Sequence, residues 1–105
     1  MKILVADDDA VTRRVLAAQL KAWGYTPVMA SDGTEAWEIL SRADAPRLAI
    51  LDWEMPGMDG LEICQKVRKR KDYYTYLILL TVREKEEDLI KGHEAGADDY
   101  IIKPI

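Results

Sequence analysis

With 105 residues, 49% of them hydrophobic and 32% charged, the chain has the make-up of one globular domain, residues 1–105, burying roughly two thirds of its unfolded surface. A formal net charge of −4 and a pI near 5.0 exclude a broad nucleic-acid-binding face, which needs clustered cations to neutralise phosphates. The single cysteine, Cys64, excludes an internal disulfide, and no signal peptide or apolar run of about 18 residues is present, so a soluble, reducing, cytoplasmic setting without membrane contact is expected.

The chain opens with an apolar strand, Lys2 to Ala6, that runs into Asp7-Asp8-Asp9. Three adjacent acids repel one another, but Asp9 is placed to cap the helix that follows, about Ala10 to Trp23. That helix carries two apolar rows, Val11, Val15, Ala18 and Ala22 on one side and Leu16, Leu20 and Trp23 on another, more than one sheet face requires. Gly24 reads as its C-terminal stop, Tyr25 to Ala30 as a second strand, and Asp32-Gly-Thr-Glu35 as a capping box opening a short helix through Leu40. A third strand, Leu48 to Leu51, ends on Asp52 just before Pro56 and two glycines turn the chain. Asp59 and Glu62 form another capping box, for a helix running to about Arg70 with Leu61, Cys64 and Val67 on one face. The basic run Arg68 to Lys71 at its end reads as a solvated face that complements the helix dipole. Tyr76 to Leu80 is a fourth strand ending at Thr81, and charged residues Arg83 to Asp88 lead into a helix that Gly96 stops. Tyr100 to Ile102 is a fifth strand, ending at Lys103-Pro104. Five strands alternating with four helices predict βαβ units, a parallel sheet and right-handed crossovers.

In open α/β sheets ligands bind beyond the carboxyl ends of the strands. This chain puts Asp7 and Asp8, Asp52, Thr81 and Lys103 there. Two carboxylates about 4 Å apart repel by roughly 4 kcal/mol at an effective dielectric of 20, so three in one pocket invite a divalent cation, and hard oxygen ligands select Mg²⁺. Thr81 offers a hydroxyl and Lys103 a compact positive charge, suited to gripping an anionic oxygen opposite the metal. A carboxylate, a metal, a lysine and a hydroxyl around one point suit transfer of a phosphoryl group onto the acid, Asp52.

The residues Ile3-Leu-Val-Ala-Asp-Asp8, Asp52-Trp-Glu-Met-Pro56 with Asp59-Gly60, Thr81, and Gly96-Ala-Asp-Asp-Tyr-Ile-Ile-Lys-Pro104 together resemble the receiver domain of bacterial two-component response regulators, including the chemotaxis receiver. The likeness covers essentially the whole chain. It implies a flavodoxin-like, doubly wound five-stranded parallel sheet of order 2-1-3-4-5, an order taken from the resemblance and not from the spacing of the elements. It implies a signalling switch and not an enzyme in the ordinary sense. Asp52 is expected to take its phosphoryl group from a sensor histidine kinase, and an output domain or downstream protein to read the result. Asp8, Asp52 and the Glu54 carbonyl would hold Mg²⁺, Asp7 acting through a metal-bound water, while Lys103 pairs with the phosphoryl oxygens or with Asp52. Thr81 would move toward the phosphate and Tyr100 swing inward behind it, although Tyr100 on its own reads as a sheet aromatic. The lifetime-tuning positions fall on Glu54 and Arg83, whose opposite charges suit pairing across the site. The position after Thr81 is usually very small, and Val82 there predicts a narrower entrance. The resemblance and the geometry of a turn after a strand both point to a cis Lys103-Pro104 bond.

Two other classes are set against this reading. A haloacid-dehalogenase-type phosphatase also uses a strand-end acid with Mg²⁺, but its general acid two residues on is aspartate where this chain has Glu54. A flavodoxin-like cofactor carrier needs small and hydroxyl residues after the first strand, where Asp7-Asp8-Asp9 would repel a phosphate. The family continues into a fifth helix beside the first, so the chain is expected to be a fragment. The row Val11, Val15, Ala18 and Ala22 is expected to lie open and to favour self-association. Cys64 reads as a small buried hydrophobe and His93 as a helix-end surface residue.

Overall fold

The structure, a computed structural model, describes residues 1–104. Its elements run β1 (Lys2–Ala6), α1 (Ala10–Ala22), β2 (Thr26–Ala30), α2 (Gly33–Leu40), β3 (Leu48–Asp52), α3 (Gly60–Arg68), β4 (Tyr76–Thr81), α4 (Glu86–Ala95) and β5 (Asp99–Ile102). All pairings are parallel and the strand order is β2-β1-β3-β4-β5, the flavodoxin-like arrangement. The order reverses direction between β1 and β3, so the loops after those two strands diverge to opposite sides and leave a crevice at the carboxyl edge.

Three of the predicted caps form. Asp9 accepts from the Thr12 N–H at 3.2 Å, Asp32 from Glu35 at 2.8 Å and Asp59 from Glu62 at 2.9 Å. Lys85 at the start of α4 supplies no side-chain cap, and Glu86, Glu87 and Asp88 complement the helix dipole there instead. Gly24 and Gly96, at φ +88° and +113°, take the left-handed conformation that ends α1 and α4. α3 stops two residues short of the expected Arg70.

Alternation along the buried strands feeds two unequal cores. Leu4, Ala6, Ala49, Leu51, Leu77 and Leu79 face α2, α3 and α4, where they meet Ala36, Leu40, Ile63, Cys64 and Val67. Ile3, Val5, Ile50 and Leu80 face the other way and meet α1 through Leu20 and Leu16. Three helices thus cover one face and, among the described residues, a single helix covers the other. Val11, Val15, Ala18 and Ala22 lie exposed, as expected. Beside α1 the sheet floor is open as well, in an apolar groove of about 400 Å³ lined by Ile3, Leu16, Trp23, Ile50, Ile78 and Ile101. Leu16, Leu20 and Trp23 line this groove together as one row, although Trp23, which caps α1, is 65% exposed.

The basic run departs from its reading as a solvated face. Arg68 donates to the carbonyls of Gly96 and Thr75 at 2.9 and 2.7 Å and pairs with Asp98 at 2.6 Å, joining α3 to the starts of β4 and β5. Arg70 lies over the Tyr73 ring and donates to the Leu40 carbonyl. Only Lys69 and Lys71 of the run are exposed. Cys64 is fully buried, its thiol pushed up to about 12 by desolvation, and His93 is exposed at the end of α4.

Candidate functional site

The three innermost groups come from three strand ends. Asp7 follows β1, Asp52 closes β3, and Lys103 follows β5, its N–H donating to the Thr81 carbonyl at 2.7 Å. Carboxylate oxygens of Asp7, Asp8 and Asp52 lie within 4.8 Å of one another. Asp7 is completely buried and Asp52 nearly so, while Asp8 faces solvent. The Lys103 ammonium sits between the buried pair, 3.0 Å from Asp7 Oδ2 and 3.3 Å from Asp52 Oδ1. The Lys103-Pro104 bond is cis, as expected.

Burial first, and then the charge of Asp7, pushes the Asp52 carboxyl up to about 6 against the pull of Lys103. Burial opposes the charge of Lys103 too, but its close pairing with Asp7 and the charge of Asp52 outweigh it and hold the ammonium above its usual value. One ammonium does not balance three carboxylates. Although Asp7 Oδ2 lies near Lys103, it accepts no well-aligned hydrogen bond, which leaves a buried oxygen lone pair open to a cation or its water. An all-oxygen donor set, one exposed member and an orphaned buried oxygen fit a hydrated Mg²⁺.

Around this centre the structure brings the remaining expected residues together. Thr81, buried at the end of β4, accepts from the Arg83 N–H at 3.1 Å. Arg83 and Glu54 do pair, with Nη2 and Nε at 2.6 and 3.1 Å from Glu54 Oε1. The same guanidinium lies 4.6 Å over the Trp53 ring and 3.3 Å from Asp88, a third partner that residue order did not suggest. Tyr100 stands inward, its hydroxyl donating to the Arg83 carbonyl at 2.9 Å and its ring edge-on to Trp53 at 6.1 Å. Trp53 is therefore buried beside the site and not spread over the sheet edge. Val82, next to Thr81, is 67% exposed.

Two supports were not visible in the residue order. The loop after Asp52 is clasped to the start of α2, where the Gly33 N–H donates to the Pro56 carbonyl at 3.0 Å and a Cβ on Gly33 would lie 1.7 Å from the Met58 carbonyl oxygen. Asp32-Gly33 reads locally as a helix start, and nothing in that stretch signals a contact with residues 56–58. The second support is Arg13, which donates to the Asp7 carbonyl at 2.6 Å.

A doubly wound parallel sheet with a cluster of acids, a lysine and a threonine at its carboxyl edge defines a receiver-type domain. Residues 3–105 match the family model described as the response regulator receiver domain, and the chain belongs to that family. It is 47% identical over 103 residues to the "Probable transcriptional regulator ycf27" of Porphyridium aerugineum, covering 98% of this chain and 42% of that one. The chain thus spans about two fifths of that relative's length. It is 38% identical to the "Chemotaxis protein CheY homolog" of Campylobacter jejuni, over 99% of this chain and 82% of that one. The solved chemotaxis response regulator CheY4 of Vibrio cholerae superposes with a TM-score of 0.91 at 31% identity, covering 99% of this chain and 87% of that one. Among the described residues no helix is long and apolar enough to cross a membrane.

Proposed function

We propose that this domain is a cytoplasmic phosphoacceptor switch in which Asp52 takes a phosphoryl group from the phosphohistidine of a sensor histidine kinase, with Mg²⁺ required. The observation that carries this reading is the Lys103 ammonium shared between two buried carboxylates, with a third acid beside them. An Asp52 carboxylate oxygen attacks phosphorus, the P–N bond to the kinase imidazole breaks, and its electron pair stays on the ring nitrogen, which takes up a proton from solvent. With a carboxyl value of about 6, Asp52 is mostly ionised at neutral pH and thus nucleophilic. Lys103 neutralises charge on the transferred oxygens, and the Thr81 hydroxyl is the nearby donor that closes on them. Asp8, Asp52 and the Glu54 carbonyl would hold Mg²⁺, with Asp7 reaching it through water. Bound Mg²⁺ supplies the charge that lets an anionic phosphoryl group approach three acids.

The signal leaves by way of Tyr100, whose hydroxyl is bonded to the backbone two residues beyond Thr81. Movement of Thr81 toward a phosphoryl group alters that contact and repacks the face made by α4 and β5 for an output domain or downstream protein. Beryllium fluoride with Mg²⁺ is expected to mimic the product and to quench or shift Trp53 fluorescence in the wild type. An equal response in Asp52→Asn contradicts the assignment.

The Glu54–Arg83 pair, formed by residues two beyond Asp52 and Thr81, acts as a lid that sets how long the phosphoaspartate lasts. Both side chains are substantially exposed, so the pair contributes less than about 1 kcal/mol to folding. Replacing both by alanine is expected to speed loss of the phosphoryl group roughly threefold to tenfold, at most about 1.4 kcal/mol in the barrier. An unchanged dephosphorylation rate removes the lid. The exposed row Val11, Val15, Ala18 and Ala22 of α1, with one face of β5, carries a separate expectation. At micromolar concentration the 105-residue chain should self-associate through this surface and bind an apolar-surface dye, as light scattering and dye fluorescence would report. A compact monomer without dye binding contradicts this.

A further inference from the structure

We infer that Arg13 is a positioning residue for the divalent-cation site, acting through the backbone of Asp7; the inference rests on the metal-site reading above. A cation in the first turn of α1 is unfavourably placed, because the helix dipole is positive there, and no acid of that turn offsets it. Carboxylates stand close by on Asp7, Asp8 and Asp9, yet Arg13 pairs with none of them among the described residues. Its Nη1 instead donates 2.6 Å to the Asp7 carbonyl oxygen.

That bond completes a clamp on one residue. The Asp7 N–H donates to the Ala30 carbonyl at 3.2 Å, from β2. Asp7 Oδ1 accepts from the Asp9 N–H at 2.9 Å, and Oδ2 faces Lys103 at 3.0 Å. Strand, loop, helix and the end of β5 therefore each hold a different atom of Asp7, and among the described residues Arg13 is the only side chain gripping its peptide. The peptide it fixes also joins Asp7 to Asp8, so the grip sets the spacing of two of the three acids. Oδ2, ion-paired with Lys103 but accepting no well-aligned hydrogen bond, stays aimed into the site, a constraint that a loose peptide would relieve by turning away.

A positioning role and a mere background charge make opposite predictions. If Arg13 acted only through its charge, removing it would tighten binding of a cation among carboxylates. If it holds the Asp7–Asp8 peptide, removing it weakens binding, as loss of an orienting partner beyond the ligands typically does by tenfold or more. The test is titration of the wild type, Arg13→Ala and Arg13→Lys with Mg²⁺ alone, read by Trp53 fluorescence, with metal-free unfolding curves for all three. Arg13→Ala is expected to bind Mg²⁺ roughly tenfold more weakly while remaining folded, and Arg13→Lys, which keeps a donor that reaches the carbonyl, to recover part of the loss. Equal or tighter binding in Arg13→Ala overturns the role of Arg13 and leaves the metal site standing. A wild type whose binding, followed also by calorimetry, is absent or unaltered by Asp52→Asn overturns both.

Discussion

Replacing Lys103 by methionine is expected to destabilise the metal-free protein by about 2–4 kcal/mol at neutral pH, because it leaves buried carboxylates without their shared partner. The Lys103 side chain is only 21% exposed, and its ammonium lies within 3.3 Å of both Asp7 and Asp52. The pH dependence has a definite sign. Lys103 titrates higher in the folded protein than its ordinary value of 10.5, so its contribution is complete below that pH and is lost as pH rises through the raised folded value. Asp52 is the opposite case, an acid whose folded value of about 6 lies above its ordinary 3.8. The folded state is therefore penalised as pH rises from 3.8 through about 6, and more heavily once the lysine is gone. Urea unfolding of Lys103→Met should show a deficit that is largest above about pH 6, shrinks below it, and is partly recovered by Mg²⁺. A deficit that is flat across this range, or absent, would mean that the lysine does not hold the acids together. Phosphorylation of the variant should be slowed severely at every pH where it is folded.

Gly33→Ala is expected to cost about 3 kcal/mol, the upper end of what overpacking imposes, because the new Cβ would meet backbone and no side chain that can turn aside. The Met58 carbonyl oxygen, carbon and nitrogen would lie 1.7, 2.5 and 2.8 Å away. Relief requires residues 56–58 to lift off α2, which breaks the Gly33 to Pro56 hydrogen bond as well. The lifted segment continues from Asp52, Trp53 and Glu54, so the damage is not confined to stability. Hydrogen exchange should rise in the loop after β3 and phosphorylation should slow, while the α4–β5 side stays protected. A variant within about 0.5 kcal/mol of the wild type would show that this clasp is not tight.

Sequence reasoning reaches those parts of the molecule that are locally encoded. Strands such as Leu4 to Ala6 and Leu77 to Leu80 announce themselves by apolar runs, and Asp9, Asp32 and Asp59 mark helix starts by bonds spanning only three residues. The strand-end groups were legible for a topological reason, since a parallel sheet brings every carboxyl end to one edge whatever the order of the strands. What the sequence does not disclose is set by long-range geometry. Arg68 looks like one of four surface cations until β4 and β5 bring Thr75, Gly96 and Asp98 to it. Lys103 was expected near Asp52, but its closer partner is Asp7, separated from it by nearly the whole chain. The roles of Arg13 and Gly33 have no signal in the sequence, because each acts through another segment's backbone carbonyl and a carbonyl carries no side-chain signature. The open sheet floor beside α1 was only half visible, since the two apolar rows of the helix are a local pattern and the uncovered Ile50 and Ile78 are not.

The central claim is that Asp52 receives a phosphoryl group in a metal-dependent step, and intact-mass spectrometry after incubation with acetyl phosphate measures it most directly. The account predicts one phosphoryl adduct on the wild type with Mg²⁺, none in excess EDTA, and none on Asp52→Asn. An adduct formed at the wild-type rate on Asp52→Asn, or in excess EDTA, would contradict it.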